Sequence, residues 1–293
     1  MKLLNLTLLC SCLLILFSAC NENTETTTAT TNKKNEQVST EKVLKIGVVP
    51  QFSPKRILTI WSPIIEELEQ KTGYTFQIVG TPSIPEFEKE YQKGTYDIAY
   101  MNPYHSIIAN KTQGYEAVLR DGTKSLFGVL VVKKDDIIKD IKELDGEKLS
   151  FPAPNALGAS LLMRTELKTI HNIDIEPIYV KTHTNSYLSV LEGKTRAGGG
   201  VMRTFNELGN DIKNQLRIFY STQKTPPHPI VIHQRVDKAT REAIINTLLE
   251  MGKDEVLNAY LKKIPIKEII ETSQEEYKML ENLGMENFYI NPN

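Results

Sequence analysis

LKIGVVPQFSPKRILTIWSPIIEELEQKTGYTFQIV, residues 44–79, decides how the chain is read. Leu44–Val49 is a short run rich in β-branched residues, the composition of a strand. Ser53-Pro54 follows, a capping residue and then a proline where a helix needs no amide hydrogen. Ile57, Leu58, Ile60, Trp61, Ile64, Ile65 and Leu68 recur with a helical period, and Gly73 stops them. Thr75–Val79 is a strand again. The same grammar continues with a helix near 84–93, a strand at Tyr96–Tyr100, and Asn102-Pro103 opening a helix that runs to about Asn110. This order, βαβαβα, implies a mostly parallel sheet with helices on both faces.

The rhythm restarts after Glu116–Arg120 and the turn Asp121-Gly122-Thr123. Strands are expected at Leu126–Val132, Lys148–Phe151, Pro177–Val180, Ala197–Met202 and Leu216–Tyr220, with helices over 157–171, 185–192 and near Thr204. Pro226-Pro227-His228-Pro229 breaks the chain before Ile230–His233, and helices over 238–251, 254–262 and 273–283 close it. Two breaks, near 121–126 and 222–229, suit two sheets joined by two chain crossings; one long doubly wound sheet is the alternative. The lobes then comprise 43–124 with 228–293, and 125–227.

The N-terminus carries a different message. Met1-Lys2 is followed by an almost wholly apolar stretch through Ala19, the form of a secretory signal (1–19), too short for a stable membrane span. Phe17-Ser18-Ala19-Cys20 resembles a lipobox, so Cys20 is the expected lipidation site and membrane anchor; an ordinary signal cleavage with Cys20 incidental is the alternative. The polar stretch through residue 42 has almost nothing to bury and reads as a disordered tether (20–42). The three cysteines are Cys10, Cys12 and Cys20, so disulfides, thiol nucleophiles and cysteine-based zinc sites are excluded from Val43 onward.

Thirty-five basic residues stand against 36 acidic ones, for a formal charge of −1, and no basic stripe is present; nucleic acid is not an expected partner. The histidines are scattered without metal-ligand spacing, so neither metal nor cofactor is expected, and His228 and His233 read as structural. No Gly-x-Ser-x-Gly elbow, P-loop or His-Glu-x-x-His is present, which argues against an enzyme. What remains is the set of loops after strands, where a parallel sheet places its ligand. They carry Gln51, Tyr100-Met101-Asn102, Asn155-Ala156, His183-Thr184 and Arg203-Thr204. Helix starts offer unpaired amides and a positive dipole end, so several converging on one cleft suit a small anionic or polar solute. Arg203, beside Gly198-Gly199-Gly200, could grip an oxyanion with two parallel hydrogen bonds.

Several segments resemble the phosphate/phosphite/phosphonate-type substrate-binding proteins of ABC importers. They are Trp61–Ile65 with Glu69–Gly73, Tyr96–Tyr100, Leu126-Phe127-Gly128, Leu144–Lys148 with Phe151, and His183 through Gly193. The resemblance implies the two-lobed type II periplasmic-binding-protein fold, α/β, with a ligand cleft between lobes. It also implies a phosphonate- or phosphate-like solute, an ABC permease as partner, a periplasmic or otherwise extracytoplasmic location, and action as a monomer. A sensory co-receptor presenting its solute to a histidine kinase is the alternative. Three positions depart from the family pattern: the turn Pro154–Ala159 lacks hydroxyls before Ser160, Met101 stands where an aromatic is expected, and Arg196 replaces an acid.

Overall fold

The computed structural model describes residues 43–292, so the signal, Cys20 and the tether lie outside the described residues. β1 (Val43–Val48) leads to α1 (Pro54–Thr72), where Ser53 Oγ accepts from the Arg56 amide at 3.4 Å and Gly73, at φ 70°, ends the helix by donating to Glu69. Ile57, Trp61, Ile64 and Leu68 form its buried face. β2 (Thr75–Ile78), α2 (Ile84–Gln92), β3 (Ile98–Tyr100), α3 (Pro103–Gln113) and β4 (Tyr115–Asp121) complete the first run. After the first crossing come β5 (Gly128–Lys133), β6 (Lys148–Phe151), α4 (Leu162–Thr169), β7 (Glu176–Tyr179), α5 (His183–Leu191), β8 (Ala197–Val201), α6 (Met202–Asn206), α7 (Asn210–Lys213) and β9 (Leu216–Ser221). The second crossing leads to β10 (Ile230–His233), α8 (Lys238–Lys253), α9 (Glu255–Lys263) and β11 (Ile269–Glu271).

There are two sheets, not one. Their strand orders are β11-β4-β10-β3-β1-β2 and β7-β6-β8-β5-β9. Both are more mixed than the βα rhythm implies. β1 pairs in parallel with β2 and β3, and β6 with β7 and β8, as crossover helices require. β10 runs antiparallel between β3 and β4, and β5 antiparallel between β8 and β9. These are the strands that follow the two crossings, where the chain enters a sheet without a crossover helix to set its direction.

Packing follows from the pleat. Along β5, Val129 and Val131 face Tyr187 and Phe205, whereas Leu130 and Val132 face Leu149, Phe151 and Met163, so the second sheet has a core on each side. The first sheet's core is larger, and it takes in Ala153, Ala156, Leu157, Ala159 and Val201 from the second, which brings the two sheets' strand-end loops together. The helix expected over 157–171 begins as a π turn, Leu157–Leu161, with Ser160 and Leu161 amides both reaching Ala156 O (2.8 and 3.1 Å). The last expected helix, over 273–283, is a 3-10 helix (Gln274–Asn282). Its buried Tyr277 and Leu280 are three apart, the spacing of one 3-10 turn.

Candidate functional site

Loops from both sheets meet at an inner pocket of about 20 Å³, lined by Gln51, Asn102, Ala156–Ala159, His183 and His228 together with Val49, Ile84, Leu126 and Val201. It shares Gln51, Leu126, Val201 and His228 with an outer cleft of about 760 Å³. The two spaces are compartments of one site.

One wall is backbone. The first intrahelical bonds of the 157–169 helix begin at the Ser160 amide, so the amides of Leu157, Gly158 and Ala159 have no partner within the helix, and no side chain caps them. The opposite wall is α3, whose cap Asn102 accepts from the His105 amide (2.8 Å) and donates through Nδ2 to Asn155 O (3.2 Å). That bond runs directly from a first-sheet loop to a second-sheet loop.

His183, only 6% exposed, has an Nδ1 without a hydrogen-bond partner. Burial depresses its pKa to about 4, so the ring is neutral at pH 7 and can donate without carrying charge. His228 lies 3.1 Å from the Gln51 amide nitrogen and stacks on Tyr100, with ring centroids 5.4 Å apart. Burial, reinforced by the charges of His105, Arg203 and His183, pulls its pKa to about 3. Burial likewise raises the Tyr100 phenol well above its ordinary value. No Asp, Glu, Lys or Arg lines the inner pocket, so any ion there is met by dipoles rather than by a counter-charge.

Seven of the ten residues selected from the sequence line one compartment or the other: Gln51, Tyr100, Asn102, Ala156, His183, Arg203 and Thr204. Three are turned elsewhere. Met101 is fully buried, because β3 lies between β1 and β10 and both its faces are covered; its amide donates to Pro229 O at 3.2 Å. Thr184 is exposed, away from the cleft, one residue beyond His183 on α5. Asn155 spends its side chain on the backbone of Ile290, with Nδ2 donating to O (2.6 Å) and Oδ1 accepting from N (3.0 Å).

Arg203 lines the outer cleft but is already engaged. Its Nε pairs with Glu207 (3.0 Å), its Nη2 donates to Lys263 O (2.9 Å), and the guanidinium lies 4.9 Å from the Phe52 ring centre. The three glycines beside it serve packing rather than ligand access. A Cβ on Gly198, Gly199 or Gly200 would meet Ser186 O at 2.7 Å, Ala159 O at 2.1 Å or the Tyr187 hydroxyl at 1.8 Å. Thr204 Oγ1 donates to Val201 O (3.0 Å) and lies 2.8 Å from the Tyr187 hydroxyl. The sequence reading took His228 as structural and missed its place on the pocket wall. It did expect open amides at the helix start after Asn155-Ala156, and those of Leu157, Gly158 and Ala159 are left without a partner in the helix. Among the described residues no group of His, Cys, Asp and Glu could hold a metal, and no helix is long and apolar enough to cross a membrane.

Two mixed α/β sheets whose strand-end loops meet at one cleft define a two-lobed architecture. The family model for the periplasmic substrate-binding protein of phosphonate ABC transporters matches residues 46–277. The phosphonates-binding periplasmic protein of Escherichia coli (strain K12) is 21% identical over 238 residues, 76% of this chain and 70% of that protein. Among solved structures, a binding protein component of an ABC phosphonate transporter from Pseudomonas aeruginosa aligns with TM-score 0.75 at 14% identity, covering 86% of this chain and 89% of its own. PhnD1 from Prochlorococcus marinus, in complex with methylphosphonate, gives TM-score 0.75 at 16% identity over 85% of this chain and 100% of its own. The chain belongs to the phosphonate ABC transporter periplasmic substrate-binding protein family. Members of that family are transport components that bind a solute, not enzymes.

Proposed function

We propose that the protein captures a small phosphonate-like oxyanion between its lobes, residues 43–124 with 228–293 and residues 125–227, and hands it to the permease of an ABC importer. Cys20 holds it to the membrane. The observation that carries this reading is one pocket lined both by the three free amides, at 157–159, and by the neutral His183, whose Nδ1 has no partner. Amides at a helix start and a neutral imidazole N–H stabilise an oxyanion without a buried counter-charge, and the apolar side chains beside them suit a small alkyl group. The inner pocket has the volume of about one water molecule. An oxyanion therefore enters when the lobes part slightly and the Asn102–Asn155 contact between them yields to it.

The test is thermal stabilisation of the purified protein by phosphate, phosphite, methylphosphonate and methylsulfonate. A ligand at about 100 times its Kd adds about 2.7 kcal/mol to stability, a shift of about 5–10 °C. Stabilisation by a phosphorus oxyanion is expected. Failure of every anion at millimolar concentration would contradict the reading.

A further inference from the structure

The inner pocket leaves the outer cleft unexplained. A space of about 760 Å³ lies in the range of sites for whole organic ligands, far above what a lone oxyanion head requires. Its charge is lopsided. Lys124, Lys224 and Lys262 line it, and among the described residues none of the three is in an ion pair. The two acids that line it are committed elsewhere. Asp121, 2% exposed, accepts from the Lys267 and Glu268 amides (2.9 and 3.0 Å) and from the Thr123 hydroxyl. Glu207 pairs with both Arg56 and Arg203 at 3.0 Å. The lysines come from three separate segments, the two crossings and α9, so only the folded chain brings them to one cavity. The cleft is also lined by the apolar Leu126, Phe127, Val201 and Met202, of which Leu126 and Val201 line the inner pocket too.

We infer that the outer cleft is a second subsite, for a distal anionic group joined by a short organic linker to the oxyanion head. The solute class is then an organophosphonate or organic phosphate with two anionic ends, such as a phosphonocarboxylate. This rests on the phosphonate reading of the inner pocket. The head sits at the amides of 157–159, the linker lies along the apolar wall, and the far anion meets the three ammonium groups. Each exposed ion pair is weak alone. Three converging in a cleft with low-dielectric walls, where the field is focused, give a measurable preference.

The probes are phosphonoacetate, phosphonopropionate and phosphonobutyrate, each titrated against the uncharged-tailed alkylphosphonate of equal length, with methylphosphonate as the reference for the head. The protein is the full mature chain, and the variant is Lys124→Gln/Lys224→Gln/Lys262→Gln, which changes exposed side chains only. At least one phosphonocarboxylate is expected to bind about tenfold tighter than its alkyl match. That advantage is expected to shrink in high salt, where the screening length falls to about 3 Å, and to vanish in the variant. If methylphosphonate binds and no phosphonocarboxylate gains over its match, the second subsite is refuted while the inner-pocket reading stands. An advantage that survives in the variant refutes the lysine assignment. Absence of binding by methylphosphonate and by every longer probe refutes both.

Discussion

Asn155 and Ile290 hold each other by two reciprocal hydrogen bonds, side chain to main chain, of 2.6 and 3.0 Å. The Asn155 carbonyl also receives Asn102, the cap of α3, so the chain two residues before the free amides is fixed from both sides. Arg164 adds to the hold, its Nη2 donating to Pro154 O (2.8 Å) and Phe288 O (3.0 Å). Asn155→Ala removes both side-chain bonds at a site only 1% exposed. Loss of about 1–3 kcal/mol is expected in urea denaturation, together with weaker oxyanion binding as the 157–159 turn loosens. Unchanged stability would show that the tail does not brace the pocket.

Acid should weaken the fold through two histidines. In the folded chain His183 and His228 titrate near 4 and near 3, against 6.5 in the unfolded chain. Between those values only the unfolded chain takes up protons. Their contribution to stability is therefore complete above about pH 6.5 and is lost as pH falls toward 4 for His183 and 3 for His228. The melting temperature is expected to drop across this window more steeply in the wild type than in His183→Gln or His228→Gln. Parallel curves would mean the histidines are already hydrated.

Gly128 is the point where β5 touches the π turn at 157–161. A Cβ there would sit 1.8 Å from the Gly158 carbonyl oxygen, and both partners are backbone. Gly128→Ala must displace the π turn. The expected result is a destabilisation of about 1–3 kcal/mol or more, with loss of oxyanion binding beyond what stability accounts for. Wild-type affinity in this variant would place the oxyanion away from the turn.

Arg203→Ala tests the opposite case. Because this guanidinium is engaged by Glu207, Lys263 O and the Phe52 ring, it serves the cleft rim rather than the head group. Removal is expected to change methylphosphonate affinity less than about fivefold, under 1 kcal/mol. A loss of about a hundredfold by calorimetry would show that the side chain swings inward when the ligand binds.

The local features were legible because their causes are local. Ser53, Asn102 and Gly73 cap helices through bonds to residues three or four positions away, and the sequence displays those spacings. The antiparallel insertion of β10 between β3 and β4 was not legible, since its partners are set by the crossing and not by the strand's own composition. The same insertion hid His228, whose ring finds Tyr100 only after β10 has docked beside β3. Asn155 looked like a ligand because it precedes a helix. Its actual partner, Ile290, lies at the far end of the chain, beyond the reach of any local pattern.

Calorimetric titration of methylphosphonate into the wild type and into His183→Ala tests the central claim most directly. Saturable binding by the wild type is expected, weakened at least about tenfold in the variant as one neutral donor to the oxyanion is lost. Equal affinity in the two proteins, or no binding by the wild type at millimolar ligand, would contradict an oxyanion site between the 157–159 amides and His183.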